Sequence, residues 1–536
     1  MANFYTVKDI ELSSIADAIR AKAEISDNLA FPSGFVSAIE GIDTGVEGDY
    51  IAVLPVSGST FETGRFAYNS AIASVYSPVC VSVPNNAFQI CSNLTSVSFP
   101  VCTSIGANAF MSCSNLTSVS FPVCTDIGAN AFMYCSNLIE ANFPVCTSIE
   151  TYAFVSCYKL ASISFPVCTS IENNAFTSCS NLIEVNFPAC TSIGANVFMY
   201  CSKLTSVSFP VLEIESIPNG LFNGCSALSY TPFSSCISIG MNAFTGCNSL
   251  TEVSFSSCTI IGSYAFTYCS NLTSVSFPVC TIIESIAFGD CTKLTEVSFP
   301  ECSYIANGVF QNCSALISVS FPVLEIETIP NGLFSGCSAL SYTPFSSCTT
   351  IGSFAFNRCA NLISISFSSC TRIGGNAFQS CSSLTEAIFP VCESIGSLAF
   401  NKCYNLTSVN FPVCTSISNY AFAYCSSLTE VIFSACIIVG TGAFQNCISL
   451  REAKFPVCTK ISATAFSNCY NLLSLYLLGS SVCSIQNASV FTSTPISNYT
   501  ASTGGVYGSI YVPESLLASY KTAQYWSLYS SRFVGV

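Results

Sequence analysis

Thirty-five cysteines and not one histidine set the chemistry open to this chain. Without an imidazole there is no His-based nucleophilic triad and no His metal site. Cysteine leaves three options: a disulfide framework, thiolate ligation of a metal, or packing as a small apolar side chain. No C-x-x-C occurs, so a zinc site would have to be assembled from separated segments. The carboxylates offer little more. Glu213 and Glu215 are close, but a glycosidase needs two carboxyls facing each other across a cleft. Neither a nucleophile elbow nor a phosphate-cradling glycine loop is present. With 15 Lys+Arg against 29 Asp+Glu and no basic cluster, nucleic acid and anionic membrane surfaces are excluded as partners. Catalysis is not expected, and no cofactor or metal is called for.

The cysteines are spaced by a repeat, and the repeat dictates the elements that hold them. Unit-starting cysteines recur every 22 residues, at 91, 113, 135, 157, 179 and 201, then from 225 to 313 and from 337 to 469. Two units have 24 residues, beginning at Cys201 and Cys313. The stretches 201–236 and 313–348 differ at only four positions, which reads as block duplication. A second cysteine follows eleven residues after the first in most units, as at Cys102, Cys124 and Cys146. The unit reads C-x-x-L-x-x-V-x-F-P-x-C-x-x-I-x-x-x-A-F. Leu94, Val97 and Phe99 match the inward positions of a short strand that Pro100 ends. Ile105, Ala109 and Phe110 cover the return side of the same coil. No unit buries these residues alone, so units must stack, about 4.8 Å per coil, into one continuous core. A cysteine at a fixed place in every coil then forms a column of buried thiols. Parallel Cβ vectors along that column disfavour bridging.

L-x-x-V-x-F-P followed by I-x-x-x-A-F-x-x-C, over about residues 80–478, resembles the BspA-like leucine-rich repeat family, also called the Treponema-type repeat. The expected fold is a β-rich leucine-rich-repeat solenoid, right-handed, with 22-residue coils. A small helical N-terminal module and a strand-helix C-terminal cap complete it. The resemblance implies adhesion or other surface binding. One departure is the cysteine of F-P-V-C, where polar or small residues are more usual in the family.

The ends differ from the repeat. Leu12, Ile15, Ala18 and Ile19 have helical spacing, and a second short helix could begin at Phe31-Pro32-Ser33-Gly34. Residues 11–22 with 31–42 resemble an N-terminal module of phage and prophage tail-associated proteins. The start M-A-N-F-Y-T-V-K-D-I lacks the basic and apolar regions of a secretory signal. No run approaches the ~20 apolar residues of a membrane-spanning helix. At the other end, Gly508 to Trp526 resembles the closing segment of BspA-like proteins: a strand, Pro513, then an amphipathic helix, with Trp526 as anchor. The expected domains are an attachment or capping module at 1–48, the solenoid at 49–479 and a cap at 480–536.

Function is sought at positions the core does not use. Strand-face carboxylates Glu140, Glu184, Glu252 and Glu296 alternate with serines. Tyr230 and Tyr342 lie on the same face, in the coils that follow the 24-residue insertions. A second variable column, just before the unit cysteine, holds Tyr134, Tyr200, Tyr268 and Tyr424. These ten residues are the candidate ligand contacts for a cell-surface protein or glycan, since exposed tyrosines favour binding surfaces and the Ser, Thr and Asn side chains around them suit glycan hydrogen bonding. The expected function is non-enzymatic recognition: a phage or prophage tail-associated receptor-binding protein in the virion, docked to other tail proteins through residues 1–48. The alternatives are a bacterial cell-surface adhesin of the BspA type and a passive spacer.

Overall fold

A computed structural model describes residues 5–7, 50–53, 60–77 and 79–536. The two helices expected at 12–19 and 31–42 lie outside the described residues. The chain divides into two compact units, Met1–Leu250 and Thr251–Val536.

In the first unit most coils carry a three-residue strand whose outer residues face solvent and whose middle residue points inward. Glu140–Asn142 pairs in parallel with Ser118–Ser120 on one side and Ser162–Ser164 on the other, at the 22-residue offset of the repeat. Pro100 and its equivalents end these strands because they offer no N–H to the ladder. Two-residue strands on the return side, such as Ser104–Ile105 and Asp126–Ile127, build a second parallel sheet in the same register. The unit starts with Tyr5–Val7 lying antiparallel to Ile51–Val53, and Tyr50–Val53 continues in parallel onto Ile72–Tyr76.

A third ladder joins the coils at the turn before the unit cysteine. Asn108, Phe110 and Ser112 donate their N–H groups to Ala129, Ala131 and Met133 of the next coil, at 2.9, 2.8 and 2.7 Å. Asn108 and Ser112 reach that geometry only in the left-handed region, at φ 56° and 60°. Their equivalents in every coil do the same, which explains the frequency of Asn and Gly at these positions, where tyrosine is also common.

The core repeats with the coils. Leu116, Phe121, Cys124, Ile127, Ala131, Phe132 and Cys135 are all fully buried. The phenylalanines form two stacks: Phe110 on Phe132 at 5.2 Å, and Phe121 on Phe143 at 5.4 Å. The stacks meet edge to face, as Phe132 does with Phe143 at 63°. Offset stacking along the coils and edge contacts across them are the arrangements the ring quadrupole favours.

All thirty-five thiols are free and buried. In each column most thiols give their S–H to a backbone carbonyl, while Cys348 and Cys483 bond to a neighbouring cysteine sulfur. Cys135 donates to Phe110 of the preceding coil at 3.1 Å, and Cys102 to Ser104 two residues on, also at 3.1 Å. Cysteine therefore fills a small apolar site and satisfies a carbonyl that packing would otherwise leave half-bonded.

The second unit repeats this plan, with strands such as Ser364–Ser366, Glu386–Ile388 and Ser408–Asn410 in register. Stacking of inward residues runs through Ile485 and Phe491, whose ring lies 5.9 Å from Phe466. The closing segment follows the expected order. Ser509–Val512 pairs with Ser474–Tyr476, a helix spans Leu517–Thr522, and Phe533–Gly535 pairs back onto Ile510–Val512. Trp526 is buried beneath it, with Nε1 donating to the Cys483 carbonyl at 2.6 Å. Among the described residues no helix is long and apolar enough to cross a membrane.

Candidate functional site

Two exposed surfaces carry the predicted contacts, the strand face and the left-handed turn columns. On the strand face of the first unit, Glu140 lies between Ser118 and Ser162, and Glu184 beside Ser206. In the second unit Glu252 lies beside Ser274 and Glu296 beside Ser318. All four carboxylates are exposed. Separation by serine keeps like charges from sitting directly opposite each other, which would destabilise the pair. What results is a row of hydroxyls with single carboxylates set into it, a surface of hydrogen-bond donors and acceptors.

One place departs from that spacing. Glu430 pairs directly with Glu452, and Lys454 forms an ion pair with Glu452. The carboxylate holds the Lys454 ammonium above its ordinary range. Lys454 also lies 5.2 Å from the centre of the Tyr476 ring, which stacks on Tyr511 at 4.4 Å. Sequence reading missed this cluster of cation, carboxylates and stacked rings. Its signal was there: Lys454 and Tyr476 occupy the same unit position, 22 residues apart.

Tyr230 and Tyr342 lie in the coils after the insertions, and their hydroxyls are used by the backbone. Tyr230 Oη accepts from Val207 N at 2.8 Å and donates to Val207 O at 2.9 Å. Tyr342 makes the same pair of bonds with Val319, at 2.9 and 3.0 Å. The reason is local. Pro232 and Pro344 deprive these coils of a ladder N–H, no strand forms there, and the tyrosine hydroxyl stands in for the missing neighbour. Both rings remain part-exposed, but the hydroxyls are committed to the fold. Tyr230→Phe should therefore leave a donor and an acceptor unpaired and cost about 1–2 kcal/mol. Urea unfolding together with amide exchange at Val207 checks this, and unchanged exchange there would remove the assignment.

The remaining tyrosines stand on the turn columns. Tyr134 and Tyr200 in the first unit, and Tyr268 and Tyr424 in the second, have φ between 60° and 64° and are 43–58% exposed. Four residues before the last two, on the same coils, lie Tyr264 and Tyr420, also left-handed and exposed. Tyr152 and Phe354 hold that earlier position in other coils. The sequence reading found one tyrosine column where the structure has two. The Tyr200 ring lies over the Gly224 backbone of the following coil, where a Cβ would come within 2.4 Å of it, and Tyr420 lies over Gly442 in the same way.

The fully buried unit-starting thiols are not candidates for chemistry. Burial pushes Cys135, Cys201, Cys403 and Cys447 up to about 12, so the nucleophilic thiolate is absent at neutral pH. A shallow groove of about 390 Å³ in the second unit is lined by Thr350, Arg372 and Ser394 and by Gly352, Gly374 and Gly396, among others. Among the described residues no group of three metal-ligating side chains comes together.

The repeat geometry is matched by a family description, the BspA type leucine-rich repeat region, whose overlapping matches run over residues 81–205, 191–317, 259–385, 303–429 and 393–503. The chain belongs to the BspA-type leucine-rich repeat family. Solved structures similar to it include a leucine-rich cell surface protein from Faecalibacterium prausnitzii, at 24% identity over 59% of this chain and 82% of that one, with a TM-score of 0.37. Another is a leucine-rich repeat protein from Bacteroides ovatus, at 23% identity over 82% of this chain and 95% of that one, with a TM-score of 0.33. No curated protein matches the chain. As a BspA-type repeat protein it repeats its core residues from coil to coil and varies those on the exposed faces.

Proposed function

We propose that this protein is a non-enzymatic cell-surface adhesin that recognises a glycan or protein through its exposed turn columns and strand face. One observation carries the reading. Tyr134, Tyr200, Tyr268 and Tyr424 project into solvent from left-handed backbone, where Gly or Asn is the stable choice and a bulky residue costs on the order of 1 kcal/mol. Exposed rings held against backbone preference at spaced coils fit selection for contact. The strand-face residues Glu140, Glu184, Glu252 and Glu296, and the rings of Tyr230 and Tyr342, form the second set of proposed contacts. Membership in a repeat family over residues 81–503 supports the surface reading. The tail-associated reading rests on residues 1–48 alone, and nothing in the family match adds to it.

Two experiments test the proposal. Brief protease treatment of intact producing cells should release peptides from 81–503, whereas recovery only from phage particles or only from lysed cells would overturn the surface assignment. Replacing Tyr134, Tyr200, Tyr268 and Tyr424 together by Asn should abolish binding of the full chain to target cells or immobilised glycans. The same change should raise stability by about 0.5–1 kcal/mol per site, because Asn tolerates the left-handed region. Full binding by that variant would leave the columns as spacer surface. The turn tyrosines are uncharged, so binding through them should change little between low and physiological salt.

A further inference from the structure

Thirty-four of the thiols lie in coils that repeat in register, but Cys483, the last of the return-side column, does not. Ser484 pairs with Lys460 in the second sheet. Cys458 precedes Lys460 by two residues, while Cys483 precedes Ser484 by one. The one-residue offset arises because the chain inserts three residues before Cys483, which follows Cys458 by 25 positions instead of 22. The register that sets Cβ vectors parallel along the rest of the column, and so disfavours bridging, is broken at this step. The Cys483 thiol turns onto its neighbour, and the two sulfurs stand 3.7 Å apart, with Cys483 Sγ donating to Cys458 Sγ. A one-residue slip between strands about 4.8 Å apart puts the Cα atoms roughly 6 Å from each other, inside the range a disulfide spans.

Cys483 is also the residue on which the closing segment hangs. Its N–H donates to Tyr520 Oη at 2.9 Å, and its carbonyl accepts from Trp526 Nε1 at 2.6 Å. We infer that Cys458 and Cys483 are a disulfide-forming pair that locks the C-terminal cap onto the last coils once the protein meets an oxidising, disulfide-containing environment. The co-reactant is a low-molecular-weight disulfide. The Cys458 thiolate attacks one of its sulfurs, the small S–S bond breaks, and one small thiolate leaves. The Cys483 thiolate then attacks the Cys458 sulfur of the mixed disulfide and expels the second small thiolate. The protein loses two electrons, and its two thiol protons end on the two small thiols. The S–H···S bond lowers Cys458 and raises Cys483, which makes Cys458 the first to ionise. Both sulfurs are buried, so reaction follows local opening at the exposed Ser480 and Ser481.

The test uses the full chain, reduced and then exposed to oxidised glutathione at about pH 8. It is then alkylated in denaturant and mapped by peptide mass. The expected result is two fewer alkylated cysteines and one cross-linked peptide joining Cys458 to Cys483. Cleavage of the closing segment by a protease should slow at least tenfold. Alkylation of all 35 thiols, or a bond at an in-register pair such as Cys348 and Cys370 in its place, would overturn the inference. Cys483→Ser keeps the backbone bonds to Tyr520 and Trp526, and Cys458→Val keeps the packing. In both variants the cap should become insensitive to the oxidant, and continued protection in either would equally overturn it.

Discussion

Raising the pH from 8 to 11 should unfold this protein abruptly. The cause is the number of buried thiols and the direction in which burial moves them. Desolvation disfavours the thiolate, so Cys135 and Cys201 in the first unit, and Cys403 and Cys447 in the second, rise from the ordinary 9.0 to about 12. Below pH 9 both folded and unfolded chains keep these protons, and stability is unaffected. Above pH 9 the unfolded chain releases them and the folded chain does not, so stability falls until the folded thiols themselves ionise near 12. At pH 10 each such thiol costs about 1.4 kcal/mol. The four named together cost about 5–6 kcal/mol, comparable to the whole stability of an ordinary domain. Cys113, Cys157, Cys179, Cys359 and Cys381 are raised well above the ordinary value for the same reason and steepen the fall. Circular dichroism and thiolate absorbance, followed together, should break at one pH. A gradual rise of thiolate absorbance with the fold intact at pH 11 would contradict the account.

The second large effect is expected at the cap. Trp526 is 1% exposed and packs against Phe491, Tyr520 and Phe533, at ring separations of 5.7, 5.8 and 5.6 Å. Trp526→Ala removes that packing and the bond to Cys483 together, and should cost about 3–5 kcal/mol. Trp526→Phe keeps most of the apolar contact but leaves the Cys483 carbonyl without its indole donor, at about 1–2 kcal/mol. Because the last coil would then expose its apolar edge, the Ala variant should also aggregate as concentration rises. Chemical denaturation and light scattering on the three proteins check both parts. An Ala variant with the parent's midpoint and solubility would mean that the cap does not close the stack.

Much of this was legible in the residues because repetition multiplies a weak signal. Leu94, Phe99, Ile105, Ala109 and Phe110 could each be assigned inward, and each is buried. The cysteine columns followed from the same phase, and the cap order from the resemblance of Gly508 to Trp526 to the family's closing segment. What escaped was whatever depended on backbone conformation and not on apolar pattern. The asparagines at 108, 130, 174 and 196 marked a left-handed column, but without coordinates they read as ordinary variable positions. The Tyr230 hydroxyl could not be placed, since its partner is a backbone group 23 residues earlier, exposed only because Pro232 forms no ladder. The meeting of Cys458 and Cys483 depends on how three inserted residues are absorbed, which spacing alone leaves open. Of the candidate contacts, the glutamates and the turn tyrosines were legible as exposed. The Lys454, Tyr476 and Tyr511 stack was not, because its members differ in chemistry while sharing a column.

The three ladders that join one coil to the next have a mechanical meaning for a protein proposed to hold one surface to another. Every inter-coil hydrogen bond runs between neighbours, so tension applied to a chain end loads one interface at a time. A detached coil of 22 residues pays out roughly 75 Å of extended chain. The coil beneath it keeps its own bonds and takes the load in turn. Such a tether yields in steps, lengthening under drag before it lets go. The closing segment, and the thiol pair beneath it, would set the force at which the first step occurs from the C-terminal side.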